Sequence, residues 1–504
     1  MNREAALAAL GEGGRSWDLV VIGGGATGLG AAVDAASRGY RTLLLEREDF
    51  ASGTSSRSTK LIHGGVRYLR QGNLALVRES LQERGRLLQN APGLVRPLPF
   101  ILPVYSGWER LFYGAGLKLY DRLAGSRGIE PSRLLSRDEV IEAIPTIRPE
   151  RLRGGIRYLD AQFDDARMAI ALARKLFELG GVAVNHFEVR GLLRNGGRVA
   201  GVRGVDGETG REFEVSARGV INATGGLCDV VRRWDRAASP RLVTHSQGAH
   251  LVLDRSFLPG VTALMVPKTR DGRVLFAIPW KDHVVVGTTD VPVDAERLDP
   301  QPLQEEVEFI LAHAGEYLVR APGRGDILSC FAGIRPLLAR GGGATSGLSR
   351  EHALVVSDSG LVTIAGGKWT TYRSMAAATV DEAARVAGLP PRPCGTGQLA
   401  LASLESAGQN RSEPGGRLHP RLDLWEGEVV RGAREEMARG VEDVLARRSR
   451  ALFLDARAAV EVAPQVARIL ARELGRSEAW ASDQVQAFSA LAAGWRPRCV
   501  APLG

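Results

Sequence analysis

The feature that most constrains this chain lies near its start. Residues 18–22, DLVVI, are an apolar run rich in β-branched side chains, and they lead directly into Gly23-Gly24-Gly25-Ala26-Thr27-Gly28. An alanine-rich stretch follows as far as Arg38-Gly39, where the glycine ends a helix. RTLLLE then supplies a second apolar strand that stops at Glu46. Strand, G-x-G-x-x-G, helix, strand and acidic residue, in that order, are a dinucleotide-binding unit and predict an α/β fold. Each position has a mechanical reason. Gly23 permits the tight turn, Gly25 lets the backbone approach a pyrophosphate, and Gly28 lets helix and strand pack closely. The helix N-terminus faces the phosphates. Glu46, eighteen residues beyond Gly28, accepts hydrogen bonds from ribose hydroxyls.

The rest of the chain favours FAD over NAD as the dinucleotide. ASGTSSRSTKLIHGG, residues 51–65, sets the hydroxyls of Thr54, Ser55 and Ser56 and the pair Gly64-Gly65 soon after the second strand, as a loop threading along a long cofactor requires. GLVTIAGGKWTTYR, residues 360–373, repeats the strand, glycine-pair, helix pattern at Gly366-Gly367-Lys368, with Thr370 and Thr371 behind it. A helix start there suits negative charge developing on a reduced flavin. GVINATG, residues 219–225, is a third apolar strand ending in a small-residue turn. Three returns to one sheet suit FAD buried in one large domain.

With 504 residues, 44% of them hydrophobic, the chain is long enough for two or three domains. Four scattered cysteines with no C-x-x-C pair argue against a disulfide framework and against a zinc site, and no metal is expected. No run reaches the roughly 20 apolar residues of a membrane span. The N-terminal segment lacks a long apolar stretch, so export is not expected. The formal charge is +9, and of 66 basic side chains only six are Lys. That excess suits an anionic substrate or an anionic membrane surface. The basic residues are dispersed and form no nucleic-acid motif, so nucleic acid is not an expected partner.

The pattern divides into a discontinuous FAD-binding domain at 16–90, 150–230 and 330–385, and an inserted substrate domain at 91–149 and 231–329. Alternating stretches such as HVVVGTTD and GAHLVLD read as antiparallel strands of that insert. LPPRPCGTGQ, residues 389–398, is a Pro/Gly linker. Beyond it, 395–504 forms a small helical C-terminal domain whose apolar faces serve packing or an oligomer contact, such as a homodimer. The fold class is therefore α/β: a Rossmann-like FAD-binding domain, an inserted antiparallel sheet and a helical tail.

IGGGATGLGAAVDAASRG, SSRSTKLIHGGVRYL, FAIPWKDHVVVGTTD, AGIRPL and AGGKWTTYRSMA occur in that order and resemble the FAD-dependent glycerol-3-phosphate dehydrogenases. VEDVLARRSRALFLDARAA resembles the C-terminal helical domain of that family, so the likeness covers nearly the whole chain. Leu29 is a departure, because a small residue is commoner there; it bears on helix packing. The resemblance implies oxidation of sn-glycerol 3-phosphate to dihydroxyacetone phosphate, with hydride passing to FAD and electrons to a membrane quinone. An oxidase of the same family, or an amine or 2-hydroxyacid flavoprotein oxidoreductase, is the alternative. Arg67-Tyr68 and Arg335 stand where the family binds phosphate, a task that suits guanidinium forks. His250 matches the family's active-site histidine and has the side chain for a base near neutral pH. His63 is expected beside the flavin, and Lys368 and Thr371 beside flavin or substrate. A protein handing electrons to a quinone is expected in the cytoplasm, peripheral on the inner face of the cell membrane. The candidate contact is residues 108–125. Trp108, Phe112, Tyr113, Leu117 and Tyr120 would enter the interface there, with Arg110, Lys118 and Arg122 at headgroup level. Gly114 and Gly116 weaken a single continuous helix there.

Overall fold

The computed structural model describes residues 1–11, 16–66, 69, 72–267, 269–270, 272–293, 300–339, 352–402 and 415–496. The apolar runs found in the sequence become the middle of its first sheet, in which Trp17–Ile22 lies between Thr42–Leu45 and Glu212–Asn222, both parallel to it. Val182–Val184 extends one side, Val362–Gly366 the other, and His352–Val356 closes that edge antiparallel. Strands such as Thr42–Leu45 are buried on both faces, as a parallel sheet between helices demands. Helix Ala26–Ser37 packs against Tyr372–Val386 and Asp165–Glu178. The contact is close because Gly30 has no side chain: a Cβ there would lie 2.7 Å from the Tyr372 ring. Leu29, the unusual residue beside it, is wholly buried.

The second sheet has ten strands and is antiparallel except where Ala263–Val266 runs parallel to Val95–Val104. At its centre Val243–Asp254 pairs with His283–Gly287 on one side and with Ile327–Leu338 on the other. Two strands correct the sequence reading. Gly154–Phe163 and Ile327–Leu338, grouped from sequence largely with the nucleotide segments, pair in this second sheet. Burial at nearly all positions of both faces hid them, because such strands carry no clean alternation of apolar and polar residues to reveal their sheet.

Behind the second sheet stand helices Glu426–Glu435, Ala456–Leu474 and Glu478–Ala493. Their core is continuous with the sheet through Phe331, whose ring centroid lies 4.9 Å from that of Phe453 and 6.0 Å from that of Trp495. Within the tail expected to be helical, EEMARGVEDVLARR, residues 435–448, has Leu, Val and Ala at helical spacing but does not form one helix. The backbone turns at Met437 and Arg450, both with positive φ, and residues Asp443–Arg448 form a wide π turn. Segment 107–124 departs in the opposite direction. Despite Gly114 and Gly116 it is one helix, Gly107–Ala124, started by a Ser106/Glu109 capping box.

Candidate functional site

A cleft opens where the parallel strands of the first sheet end. Gly23 and Gly25 form its floor, Glu46 and Arg47 one end, and Gly366, Gly367, Lys368 and Trp369 another part of the wall. The three motif glycines are each required by geometry. Gly23 has φ +108° and its Cβ would lie 2.7 Å from the Ala223 carbonyl oxygen. A Cβ on Gly28 would meet the Gly23 carbonyl oxygen at 1.9 Å, and one on Gly25 would stand 3.0 Å from Ser55 Oγ. The cleft-facing Gly25 thus leaves bare backbone where a phosphate can approach. Glu46 Oε2 accepts the Gly24 N–H at 2.5 Å and Oε1 accepts the Glu48 N–H at 2.9 Å. Burial raises its pKa against the pull of these two amides. Each carboxylate oxygen keeps a free lone pair for a ribose hydroxyl. These residues fit a dinucleotide.

The hydroxyl loop crosses from this cleft to the second sheet. Thr54 Oγ1 donates to the Ile334 carbonyl at 2.5 Å, Ser55 Oγ accepts the Ala26 N–H at 2.9 Å, and the Trp369 indole donates to the Ser55 carbonyl at 2.8 Å. Thr54 and Ser55 line the cleft. Ser56 instead turns its carbonyl to two buried cations, Lys60 Nζ at 2.7 Å and Arg450 at 2.8 Å. Asp165 holds the same pair, Lys60 at 2.7 Å and Arg450 at 3.0 Å, and also accepts from Ser58. Burial draws Lys60 down to about 7, with Asp165 opposing it.

His63, Gly64 and Gly65 do not line the cleft. Thr370 Oγ1 bridges the His63 amide and carbonyl, each at 3.3 Å. The space above Gly64 belongs to Leu81 and the Tyr120 hydroxyl, and a Cβ there would lie 2.6 Å from each. The glycine is therefore needed for packing against helix Gly107–Ala124, where a flavin contact was expected. Lys368, at the cleft wall, donates to Ser80 Oγ at 2.7 Å, and Thr371 hydrogen-bonds the Lys368 carbonyl at 3.4 Å. Arg67 and Tyr68 lie outside the described residues.

His250 and Arg335 come together in the second sheet. His250 lies inside strand Val243–Asp254, which starts five residues before the GAHLVLD stretch read from the sequence. The register places Ser246 opposite Arg335 and Gly248 opposite Gly333, so Arg335, Gly248 and His250 share one face. The guanidinium folds back over Gly248: a Cβ there would be 2.1 Å from Arg335 Nη2. Two strand residues, roughly 7 Å, then separate it from the imidazole. Arg335 donates to Thr288 Oγ1 at 2.8 Å and to the Thr289 carbonyl at 3.0 Å, with Asp290 at 3.6 Å. His250 stacks on Phe331, and Nε2 lies 2.9 Å from Thr59 Oγ1. Burial, then the charges of Arg335 and Lys60, hold its pKa well below that of an ordinary imidazole. The ring is neutral at working pH and can take a proton.

Several cleft residues escaped the sequence reading. Val189, Val231 and Trp234 form an apolar wall near Glu46, and Arg57 and His245 also line the cleft. The strand pattern of VTHSQGAHLVLD held the one usable signal, for His245. A grouping of Asp49, His186 and Asp443 has metal-like spacing. Arg447 and Arg448 already bind Asp49, and Arg447 binds Asp443, which makes the group an ion network and leaves no room for a cation.

Residues 18–373 match the family described as FAD dependent oxidoreductase. Residues 362–481 match the C-terminal domain of alpha-glycerophosphate oxidase. The chain is 41% identical to the mitochondrial glycerol-3-phosphate dehydrogenase of Mesocricetus auratus, over 95% of this chain and 73% of that protein. With the Homo sapiens protein of the same name the identity is 39%, over 96% and 74%. Among solved structures, the glycerol-3-phosphate dehydrogenase from Bacillus halodurans complexed with FAD superposes with a TM-score of 0.79 at 27% identity, covering 99% of this chain and 98% of that one. The glycine cradle and these matches over nearly all of the chain agree, and the chain belongs to the FAD-dependent glycerol-3-phosphate dehydrogenases.

Proposed function

We propose that this chain oxidises sn-glycerol 3-phosphate to dihydroxyacetone phosphate and delivers the electrons to a membrane quinone. The observation that carries the reading is the shared face of Arg335 and His250. A guanidinium and a neutral imidazole roughly 7 Å apart on one face of the sheet match a small molecule with a phosphate at one end and a secondary hydroxyl near its middle. FAD, held by the Gly23–Gly28 turn and Glu46, would supply the acceptor for the hydride and the relay for the electron pair. The protein's own groups do the rest. Arg335, with Arg67, Tyr68, Lys368 and Thr371, holds and neutralises the phosphate. Thr59 fixes the His250 ring through Nε2, so that Nδ1, which has no partner among the described residues, takes the hydroxyl proton. The Gly366-Gly367 turn supports the ring end of the cofactor, and His63 backs that turn through Thr370.

Among the described residues no helix is long and apolar enough to cross a membrane, which suits peripheral attachment at the inner face. Helix Gly107–Ala124 is the contact in this reading. Trp108, Leu111, Phe112 and Leu119 are exposed, Trp108 to 70%, whereas Leu117 and Tyr120 from the original set are buried. Arg110, Lys118 and Arg122 stand exposed among them, a pattern that suits anionic headgroups. The test is reduction of a water-soluble dye and of a short-chain quinone by the purified flavoprotein with sn-glycerol 3-phosphate. Rapid turnover with both supports the reading. Rapid peroxide formation with slow quinone reduction would identify an oxidase, and turnover only with an amine or 2-hydroxyacid would overturn the substrate.

A further inference from the structure

Strand Val243–Asp254 carries two histidines five residues apart, and alternation puts them on opposite faces. The mechanism uses His250. His245 pairs across the strand with Pro336 and lines the cofactor cleft beside Pro336, Ile334 and Gly226. It is 5% exposed. Its Nε2 lies 2.8 Å from the Gly226 carbonyl oxygen. A carbonyl only accepts, so Nε2 carries the hydrogen, and with that single ring hydrogen Nδ1 is an acceptor. That nitrogen is buried and has no hydrogen-bond partner among the described residues. Native structures seldom leave such a group unmatched, which points to a donor on the ligand that fills the cleft.

FAD narrows the choice of donor. Its pyrophosphate offers only acceptors, and the ribose hydroxyls belong at Glu46; of the remaining donors, the adenine amino group and the flavin N3–H sit at the two tips of the cofactor, and only the ribityl hydroxyls lie on the link between pyrophosphate and ring. His245 is one residue along the strand from Ser246, the cross-strand partner of Arg335. Its side chain points away from Arg335, into the cleft that it lines together with Gly23 and Gly25 and with the Gly366-Gly367 turn read as holding the ring, so it lies along the link between pyrophosphate and ring. We propose that His245 Nδ1 accepts a hydrogen bond from a ribityl hydroxyl of FAD and positions the link between pyrophosphate and ring. Gly226, which holds the other nitrogen, sits in the turn that follows strand Glu212–Asn222. The ring thereby ties the cofactor chain to the first sheet.

The experiment measures release of FAD from the holoenzyme by recovery of its fluorescence, without substrate. H245F removes both hydrogen bonds and is expected to release FAD about tenfold faster. H245Q can keep a donor for the Gly226 carbonyl but has nothing at the Nδ1 position, and is expected to behave like H245F while folding normally. H245N places its amide oxygen where Nδ1 stands and is expected to recover most of the retention. Protein reconstituted with FAD lacking the contacted ribityl hydroxyl is expected to release it at the same rate with His or Phe at 245. Wild-type retention in both H245F and H245Q overturns the proposal, as does a failure of every ribityl-deoxy analogue to remove the difference between His and Phe.

Discussion

Asp49→Asn is the sharpest probe of how the helical C-terminal domain is held to the nucleotide-binding loop. Asp49 is wholly buried three residues beyond Glu46. Its carboxylate accepts from Arg447 Nε at 2.6 Å, from Arg448 at 2.6 and 2.9 Å, and from Asn185 Nδ2 at 3.1 Å. Asparagine keeps the shape but loses the charge and turns an NH2 group toward guanidinium donors. Removing one partner of a buried ion pair costs about 3–5 kcal/mol. The lower end applies here, because Arg447 keeps Glu442 and Asp443, and Arg448 keeps the Glu436 carbonyl at 2.7 Å. A local loss of about 3 kcal/mol accelerates hydrogen exchange of the 443–454 amides by roughly a hundredfold when exchange follows local opening. Measured by mass spectrometry, the acceleration is expected in that segment and in the loop near Asp49, and far less in the remote strand Ala263–Val266. Asp49→Asn combined with Arg448→Met is expected to cost less than the sum of the two, since each change removes the other's partner. Unchanged exchange at 443–454, or strict additivity, would refute the reasoning.

The other predictions are briefer. Gly28→Ala forces a methyl into the Gly23 carbonyl, so the variant is expected to purify with little flavin, read from its absorbance; full FAD content would show the cradle to be misassigned. Arg335→Ala is expected to weaken sn-glycerol 3-phosphate binding by about 1.5–3 kcal/mol, tenfold to over a hundredfold, and to leave turnover of glycerol nearly unchanged. His250→Ala is expected to slow flavin reduction with FAD content retained. In the wild type the acid limb of that rate falls well below the ordinary imidazole range, because the base is depressed and is lost only as pH drops through its lowered pKa. His186 shifts the opposite way: burial would lower it, but Asp443 at 3.0 Å outweighs burial and raises it to about 8. Its contribution, about 2 kcal/mol, is therefore full below pH 6.5 and lost as pH rises through 8, so thermal stability is expected to fall over that window and His186→Gln to flatten the fall. Flotation with anionic vesicles is expected to weaken with salt and with Trp108→Ser and Phe112→Ser together; unaltered binding would move the membrane contact elsewhere.

The nucleotide cradle was legible because its determinants are local. Gly23 needs a positive φ, Gly28 needs absent side-chain volume, and Glu46 ends the very strand that places it; a span of 24 residues contains the whole argument. The arginine clamp was illegible for the complementary reason. Arg447, Arg448 and Arg450 are buried by partners at Asp49 and Asp165, hundreds of residues away, and in a chain with ten times as many Arg as Lys nothing local sets them apart. Their effect on secondary structure was hidden too. Turning three arginines inward coincides with the π turn at Asp443–Arg448 and the left-handed Arg450, where apolar spacing alone favoured an unbroken helix.

The two histidines of VTHSQGAHLVLD mark where more could have been drawn from the sequence. Once the stretch is taken as a strand, a separation of five forbids His245 and His250 from facing the same ligand. A strand taken only as GAHLVLD, from Gly248, leaves His245 in a loop, where alternation has no force. The structure begins it at Val243, and each ring then acquires a distinct neighbourhood. His250 stacks on Phe331 within reach of Thr59 and Arg335, and His245 bonds to Gly226 at the cofactor cleft. A single strand thus carries one imidazole on the face of Arg335 and another in the cleft of the glycine turn. The same spacing separates the expected consequences: loss of His250 changes the rate of flavin reduction with FAD retained, and loss of His245 changes FAD retention before any substrate is added.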